Sequence, residues 1–428
     1  MTQTQKVSYN LPYEITGELH KEITMVIKPM IRSNICINSH PVGCAKDTAR
    51  QIAYAKAQKA KRGVKTAAEG GYAPKTVLVL GCSTGYGLAS RITAAFEFGA
   101  ETIGVSFEKV GTESKAGTPG WYNNREFDRE AEAAGLRSIT FNGDAYSDEM
   151  RKQVIDQVKS WGKQFDLIIY SLASPVRTDP DTKVLYKSVL KPVGAEYGGA
   201  SLDMMTGKMS TMTAKPAEGD DVANTVKVMG GEDWERWMKQ LSEAGVLADG
   251  VRTVAYSYIG PKLSHPIYRD GTIGAAKKDL EARAHIITKN LSSLNGAAFV
   301  SVNKGLITRS SSVIPIITLY LSVLFKVMKA KGTHEGCIEQ MERLFAERLY
   351  TADKKVPVDE EGRIRIDDWE LDPQVQAEVD KIMAQVNEEN VADITDLAGI
   401  RHDFLNINGF DVEGVDYEKD ISDMTSLD

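Results

Sequence analysis

A phenol held beside an ammonium group can meet negative charge that develops on an oxygen atom: the hydroxyl donates, and the neighbouring cation eases its ionisation. Three places in the chain set a tyrosine and a lysine at a spacing that could serve. Tyr258-Ile-Gly-Pro-Lys262 has the separation of one helical turn, but Gly260 and Pro261 cannot continue a helix, so Lys262 is not held on the tyrosine's face. Tyr350-Thr-Ala-Asp-Lys354 repeats that spacing in the charged C-terminal part, away from the segments described next. In the third, Tyr268 and Lys277 have eight residues between them, and Gly271 and Gly274 suit a turn into a helix whose early turns carry Lys277 and Lys278. One of these lysines can face a site while the other faces elsewhere. Spacing alone leaves packing or surface roles open for this pair, and Tyr258 is a second hydroxyl within reach.

A second constellation has the residue types that hold phosphate. Gly81-Cys82-Ser83-Thr84-Gly85-Tyr86-Gly87 follows the apolar run Thr76–Leu80 and precedes the helical spacing of Leu88 to Phe98. Strand, glycine turn and helix in that order place free N–H groups and a positive dipole end against a pyrophosphate. The next apolar run ends in Phe107-Glu108, 21 residues after Gly87, where a carboxylate can accept hydrogen bonds from an adenosine ribose. The same carboxylate repels a 2′-phosphate, which favours NAD over NADP. Asp144-Ala145 and Ser171-Leu172-Ala173 follow the third and fourth apolar runs. Each is compatible with ordinary turn chemistry, but four successive strand ends of this kind suit a dinucleotide laid across the edge of a sheet, with Asp144 capping the adenine amino group. Hydride transfer to a carbonyl or conjugated carbon would leave the oxygen charge that Tyr268 and Lys277 could meet.

These residues must be positioned by alternating strands and helices. Apolar runs at Thr76–Leu80, Glu101–Phe107, Ser138–Asn142 and Phe165–Tyr170 alternate with helical patterns over 88–98, 125–134 and 148–161, which predicts an α/β fold with a parallel, doubly wound sheet. A helix over 42–63 precedes it. The alternation breaks from about Val176 to Leu247 and resumes with Arg252–Tyr258, a helix from about Gly274 to Leu291, the run Ala298–Val302 and a buried helix around Leu319–Met328. We therefore divide the chain into an appendage (1–25), the first part of a nucleotide-binding core (26–175), a substrate-binding insertion (176–250), the second part of the core (251–333) and a helical C-terminal part packed on it (334–428). Met204, Met205, Met209 and Met212 in the insertion are expected to pack, although soft side chains would also suit an acyl chain.

Composition narrows the classes. The chain has 428 residues, 42% hydrophobic and 26% charged, ordinary values for a folded globular protein. Its net charge of −7 gives no reason to expect nucleic acid or an anionic membrane as partner. The longest apolar stretch, Val313 to Phe325, falls short of the roughly 20 residues a membrane span needs. Four scattered cysteines and six histidines without ligand spacing suggest neither a disulfide framework nor a metal site, and a reducing, cytoplasmic setting is expected. The first two dozen residues lack an apolar signal core, and Met25 is a candidate start.

Several strings together carry a resemblance. GCSTGYGLASRITAAF, GTPGWYNN, YSLASPVRTDP, VKVMGGEDWERW, AYSYIGP, IYRDGTIGAAKKDLE and NGFDVEGVDY closely resemble the trans-2-enoyl-CoA reductases, a family that includes one type of bacterial enoyl-acyl-carrier-protein reductase. The resemblance runs from about Val26 to the C-terminus. It implies a Rossmann core enlarged by substrate-binding elements and an NADH-dependent reduction of a short trans-2-enoyl thioester such as crotonyl-CoA. It further implies that Gly81, Cys82, Ser83, Thr84, Gly85 and Tyr86 form the cofactor loop, with Glu108 beside Phe107 choosing the nucleotide. Asp144, Ala145, Leu172, Ala173, Lys277, Leu306, Ile307 and Thr308 would be further cofactor contacts, Tyr258 would bind substrate, and Tyr268 would donate the proton with Lys277 beside it. VKVMGGEDWERW is expected to cover the thioester end as a lid, and the protein to act as a monomer or homodimer. An acyl carrier protein is the alternative thioester carrier. Two other classes share the glycine turn: a carbonyl dehydrogenase of the short-chain type, which should carry Tyr-x3-Lys on an unbroken helix, and a non-catalytic NAD-binding protein, which needs neither Tyr268 nor Lys277.

Overall fold

The computed structural model describes residues 26–428 apart from Ser33 and Val313, so the expected appendage over residues 1–25 lies outside the described residues. Seven strands form one all-parallel sheet: β1 (Thr76–Leu80), β2 (Glu101–Ser106), β3 (Ser138–Asn142), β4 (Phe165–Tyr170), β5 (Leu247–Ser257), β6 (Ala297–Val302) and β7 (Ile364–Arg365). Their spatial order is β3-β2-β1-β4-β5-β6-β7. The direction of winding therefore reverses between β1 and β4, the crevice where such sheets bind ligands.

The central strands β1, β2 and β4 are buried on both faces, and their alternation feeds two cores. Val77 and Val79 of β1 and Leu167 and Ile169 of β4 face one way, toward α2 (Gly85–Ile92), α3 (Pro119–Ala133) and α9 (Cys337–Leu344). Leu78 and Leu80, with Ile168, face α4 (Asp148–Ser160), α6 (Glu232–Glu243) and α7 (Thr272–Asn290) on the other side. The helix α1 (Pro41–Arg62) precedes β1 and packs on α3. A third core forms around α8 (Pro315–Lys331), against which α10 (Pro373–Met383), α12 (Leu397–Asn406) and a hairpin of Tyr197–Leu202 with Met209–Ala214 are packed. No helix of the described residues is long and apolar enough to cross a membrane.

Three expectations are corrected. The segment over 176–250 is not a single insertion: it contains two hairpins and α5 (Asp221–Met229), then α6, which serves as a core helix between β4 and β5. The GGEDWERW string is accordingly no free lid. Trp234 and Trp237 have 0% exposure, their indole N–H groups donate to Thr253 Oγ1 (2.8 Å) and to the Ala145 carbonyl (3.0 Å), and Asp233 pairs with buried Arg151. Indoles that bury their rings and spend their N–H groups inside the protein cannot open to solvent cheaply. The C-terminal part also contributes more than helices, since β7 extends the sheet beside β6. Of Met204, Met205, Met209 and Met212, Met204 is fully buried in the core around α8 and Met212 is exposed.

Candidate active site

Gly81 leaves β1 at φ +85°, a left-handed turn, and a side chain there would strike the Ser171 carbonyl at the end of β4. The turn therefore brings the start of α2 directly over the carboxyl edge of the sheet. Thr84, the residue before α2, makes no side-chain cap, so the first N–H groups of the helix remain available to an anion. Tyr86 points back into the molecule and donates to the Lys304 carbonyl at 2.5 Å. Cys82 is buried, and burial pushes its thiol up to about 11.

The end of β2 meets this turn from the side. Ser83 Oγ donates to Glu108 Oε1 at 2.6 Å, and the Glu108 backbone is clamped by Asn142, which accepts from its N–H at 2.7 Å and donates to its carbonyl at 2.9 Å. Phe107 is 79% exposed, an uncovered aromatic face beside the turn, where it offers a flat surface for a base. Asp144 accepts the Tyr146 N–H at 2.9 Å, and the Ala145 carbonyl is held by Trp237 of α6. Ser171 donates its N–H to the Leu80 carbonyl at 2.8 Å, which sets Leu172 and Ala173 opposite the glycine turn. The loop after β6 closes the ring: Thr308 lies 3.7 Å from where a side chain on Gly85 would stand, and Leu306 and Ile307 are buried in the same core as Tyr268. Turn, carboxylate, aromatic face and free helix N-terminus fit a dinucleotide.

The tyrosines lie at the next strand ends. Tyr258 follows β5 directly, and Gly260 and Pro261 then turn the chain, as expected, into a single 3-10 turn at Lys262–Ser264 instead of a helix carrying Lys262. The backbone returns through the Tyr268 N–H, which donates to the Ser264 carbonyl at 3.0 Å. Gly274, in the first turn of α7, has no room for a side chain against the carbonyls of Tyr268 and Arg269, and this close approach ties the tyrosine to the helix bearing Lys277. The Tyr258 and Tyr268 rings meet edge to face at 5.3 Å.

Lys277 and Lys278 divide as their spacing suggests. Lys278 is exposed, while Lys277 turns inward and donates to the Tyr256 carbonyl at 2.9 Å. Burial pushes the Lys277 ammonium down to about 8, against the opposing pull of Glu281. Burial likewise pushes the Tyr268 phenol above its ordinary range, with Glu370 adding to the effect, so its proton is retained at neutral pH.

One functional group has no counterpart in the sequence reading. Glu370, fully buried and contributed by the loop between β7 and α10, takes three hydrogen bonds. The Tyr258 and Tyr320 hydroxyls donate to Oε1 at 3.0 and 2.8 Å, and the Gly305 N–H donates to Oε2 at 2.7 Å. Gln376 Nε2 donates to the Tyr320 oxygen at 3.1 Å, which leaves Tyr320 no choice but to point its proton at Glu370. Burial raises the carboxyl pKa, while the Gly305 N–H, the Tyr320 hydroxyl and buried Lys304 act the other way. The consequence for the pocket is a difference in polarity. The proton of Tyr258 is committed inward, whereas the Tyr268 hydroxyl makes no hydrogen bond to any other described residue.

Comparison with known proteins agrees with this geometry. Residues 26–113 match the family described as the NAD(P)H binding domain of trans-2-enoyl-CoA reductase, 115–350 the trans-2-enoyl-CoA reductase catalytic region, and 358–421 an enoyl reductase FAD binding domain. The chain is 60% identical to a trans-2-enoyl-CoA reductase [NADH] of Treponema denticola, covering 93% of this chain and 98% of that one. It is 54% identical to an enoyl-[acyl-carrier-protein] reductase [NADH] of Cytophaga hutchinsonii, covering 94% and 99%. Among solved structures, the Treponema denticola trans-2-enoyl-CoA reductase in complex with NAD superposes with a TM-score of 0.89 at 59% identity, covering 93% of this chain and 98% of that chain. The Clostridium acetobutulicum enzyme in complex with NADH superposes with a TM-score of 0.88 at 41% identity, covering 94% and 100%. With a catalytic-region match over more than half of its length and relatives at this identity, the chain belongs to the trans-2-enoyl-CoA reductase family.

Proposed function

We propose that the protein reduces the 2,3 double bond of a trans-2-enoyl-CoA, such as crotonyl-CoA, to the saturated acyl-CoA with NADH, in a reducing cytoplasm. The observation that carries the reading is the uncommitted Tyr268 hydroxyl beside a nucleotide-binding strand edge, with Lys277 on the adjoining helix. Bound NADH supplies the hydride, which goes to the β-carbon of the thioester. Glu108 and Ser83 would hold the adenosine ribose, the exposed Phe107 ring would offer a face to the adenine, and the free N–H groups of α2 would hold the pyrophosphate. Lys277 orients the nicotinamide ribose, Tyr258 shapes the substrate pocket, and Tyr268 donates to the thioester oxygen as it gains enolate charge. Protonation at the α-carbon completes the reduction, with Tyr268 as the proton source.

The flavin named for residues 358–421 does not fit the residues present. Between β7 and α10 the chain runs through Asp367-Asp368-Trp369-Glu370-Leu371-Asp372, with no glycine turn to admit a pyrophosphate. The apolar faces of α10 and α12 are spent on α8, burying Val375, Val379, Ile400 and Phe404. No step is assigned to a flavin.

Following NADH absorbance with crotonyl-CoA tests the reading. Consumption of NADH with formation of butyryl-CoA is expected, and NADH binding without turnover on any enoyl thioester would reduce the protein to a nucleotide binder. Repeating the assay with a crotonyl carrier protein decides between the two thioester carriers named among the relatives.

Lys277 predicts a pH dependence of cofactor binding. Burial pushes its ammonium down to about 8, so most of the cation is present at pH 7 and it is lost as pH rises through about 8. The NADH dissociation constant should therefore weaken over that interval, and Lys277→Met should remove most of the dependence. A charged hydrogen bond of this kind contributes roughly 1.5–3 kcal/mol, so Lys277→Met should also weaken binding by about tenfold or more at pH 7. Titrating the fluorescence of bound NADH against pH checks both; an unchanged profile in the variant would show that another group holds the ribose.

A further inference from the structure

The carboxylate that receives the ribose does not stand alone. Arg309, one residue beyond Thr308, places Nη1 3.5 Å from Glu108 Oε2, the carboxylate oxygen that the Ser83 hydroxyl leaves free. The two partners are unequally free. The Glu108 side chain is 9% exposed and held by Ser83 through one oxygen, with its backbone clamped by Asn142, so it cannot swing out of the ribose position. The Arg309 side chain is 36% exposed and makes no hydrogen bond to another described residue; at 3.5 Å its contact with Glu108 is an ion pair of loose geometry. Its backbone is nonetheless fixed. The Thr308 N–H donates to Ser311 Oγ at 2.9 Å and Ser311 Oγ donates to the Leu306 carbonyl at 2.5 Å, closing the loop that carries the guanidinium over the glycine turn.

Physical chemistry then gives the arginine two opposite uses. With the carboxylate in place, the pair is close to neutral as a whole, and the short-range repulsion between the fixed carboxylate and a 2′-phosphate is offset in part by a cation that same phosphate can reach. With an uncharged side chain substituted at 108, a guanidinium with uncommitted donors next to the ribose 2′ position is the group that pairs with a phosphate. We infer that Arg309 is a specificity-determining residue for the nucleotide: it moderates the discrimination that Glu108 imposes, and it is the latent receptor of a 2′-phosphate. The inference rests on the reading of Glu108 as the ribose-binding residue. It also alters what a substitution of Glu108 alone means, because improved use of NADPH in Glu108→Gln then depends on a residue 201 positions away in the chain.

The test uses the full chain in four forms: unmodified, Glu108→Gln, Arg309→Met and the double variant. Arg309→Met keeps an apolar stem on a partly exposed side chain, so folding is not at stake. Calorimetric titration with adenosine 2′,5′-bisphosphate and with 5′-AMP reads the 2′-phosphate directly, and the ratio of kcat/KM for NADPH and NADH follows in parallel. Glu108→Gln is expected to tighten the bisphosphate by at least tenfold relative to 5′-AMP, and the same change made in Arg309→Met by less than threefold. Arg309→Met alone should widen the preference for NADH by threefold or more. Raising the ionic strength should shrink the gain in Glu108→Gln, since the guanidinium is partly solvated. An equal gain with and without Arg309 would overturn the inference and transfer the role to another cation, Lys109 being the nearest in sequence. If neither nucleotide binds to any of the four forms, the placement of the ribose at Glu108 fails, and the inference with it.

Discussion

Tyr268→Phe is expected to lower kcat for crotonyl-CoA by about 10²–10⁴-fold, the usual contribution of a positioned proton donor, while changing the NADH dissociation constant by less than about threefold. Two tyrosine rings meet at the strand edge, and the structure separates the roles of their hydroxyls. Tyr258 spends its proton on Glu370, so its oxygen presents lone pairs to the pocket, and an anionic enolate oxygen gains nothing from lone pairs. Tyr268 retains its proton because burial pushes its phenol upward, and that proton has no partner among the described residues. Steady-state turnover, with NADH affinity measured separately by fluorescence, checks the expectation. Turnover close to that of the unmodified protein would move the donor role to Tyr258 and require Glu370 to be protonated in the working enzyme.

A second large effect is expected from Glu370→Gln. The carboxylate accepts three donors, two on Oε1 and one on Oε2, and an amide of the same shape offers a single acceptor oxygen. If that oxygen keeps the Gly305 N–H, both tyrosines must reverse their hydrogen bonds or lose them, and the Tyr320 oxygen is already taken by Gln376. Each buried polar group left unpaired costs roughly 1–3 kcal/mol. The melting temperature should therefore fall, and kcat/KM should drop by about 10–100-fold because Tyr258 and the cofactor loop beginning at Gly305 are fastened to the same group. Introduced into Tyr258→Phe, the substitution should cost much less activity, since the route through Tyr258 is already gone. A full and additive loss in that background would mean that Glu370 acts through packing alone. The carboxylate also gives the C-terminal part a role that a flavin does not: it fastens the substrate tyrosine from behind.

Much of this was legible locally. The boundaries of β1 and β4 follow from nearly continuous apolar runs, because a strand buried on both faces carries its own signal. The glycine turn was legible because left-handed backbone and close approach restrict the residue type at Gly81. That one of Lys277 and Lys278 turns inward and the other outward follows from helical geometry. By contrast, GGEDWERW, read as a lid from its place in an irregular stretch, proved to be a core helix. Its two tryptophans, spaced three apart, were the signal, and the intervening loops and hairpins had hidden the strand–helix–strand alternation around it.

The amino-acid sequence by itself determined the alternation that builds the sheet, the glycine turn, the carboxylate at the end of β2 and the helix that carries Lys277, together with the family to which those strings belong. Only the tertiary structure decided which tyrosine keeps a free proton and what stands beside the ribose carboxylate. Glu370 lies 112 residues from Tyr258 and 65 from Gly305, in a run of acidic residues that offers no period or turn to single it out. Arg309 reaches Glu108 only because the loops after β2 and β6 converge on the same glycine turn. Periodicity and turn chemistry record what a residue does to its own few neighbours; the direction of a shared proton and the partner of a charge are set by groups that the chain brings together only after it has folded.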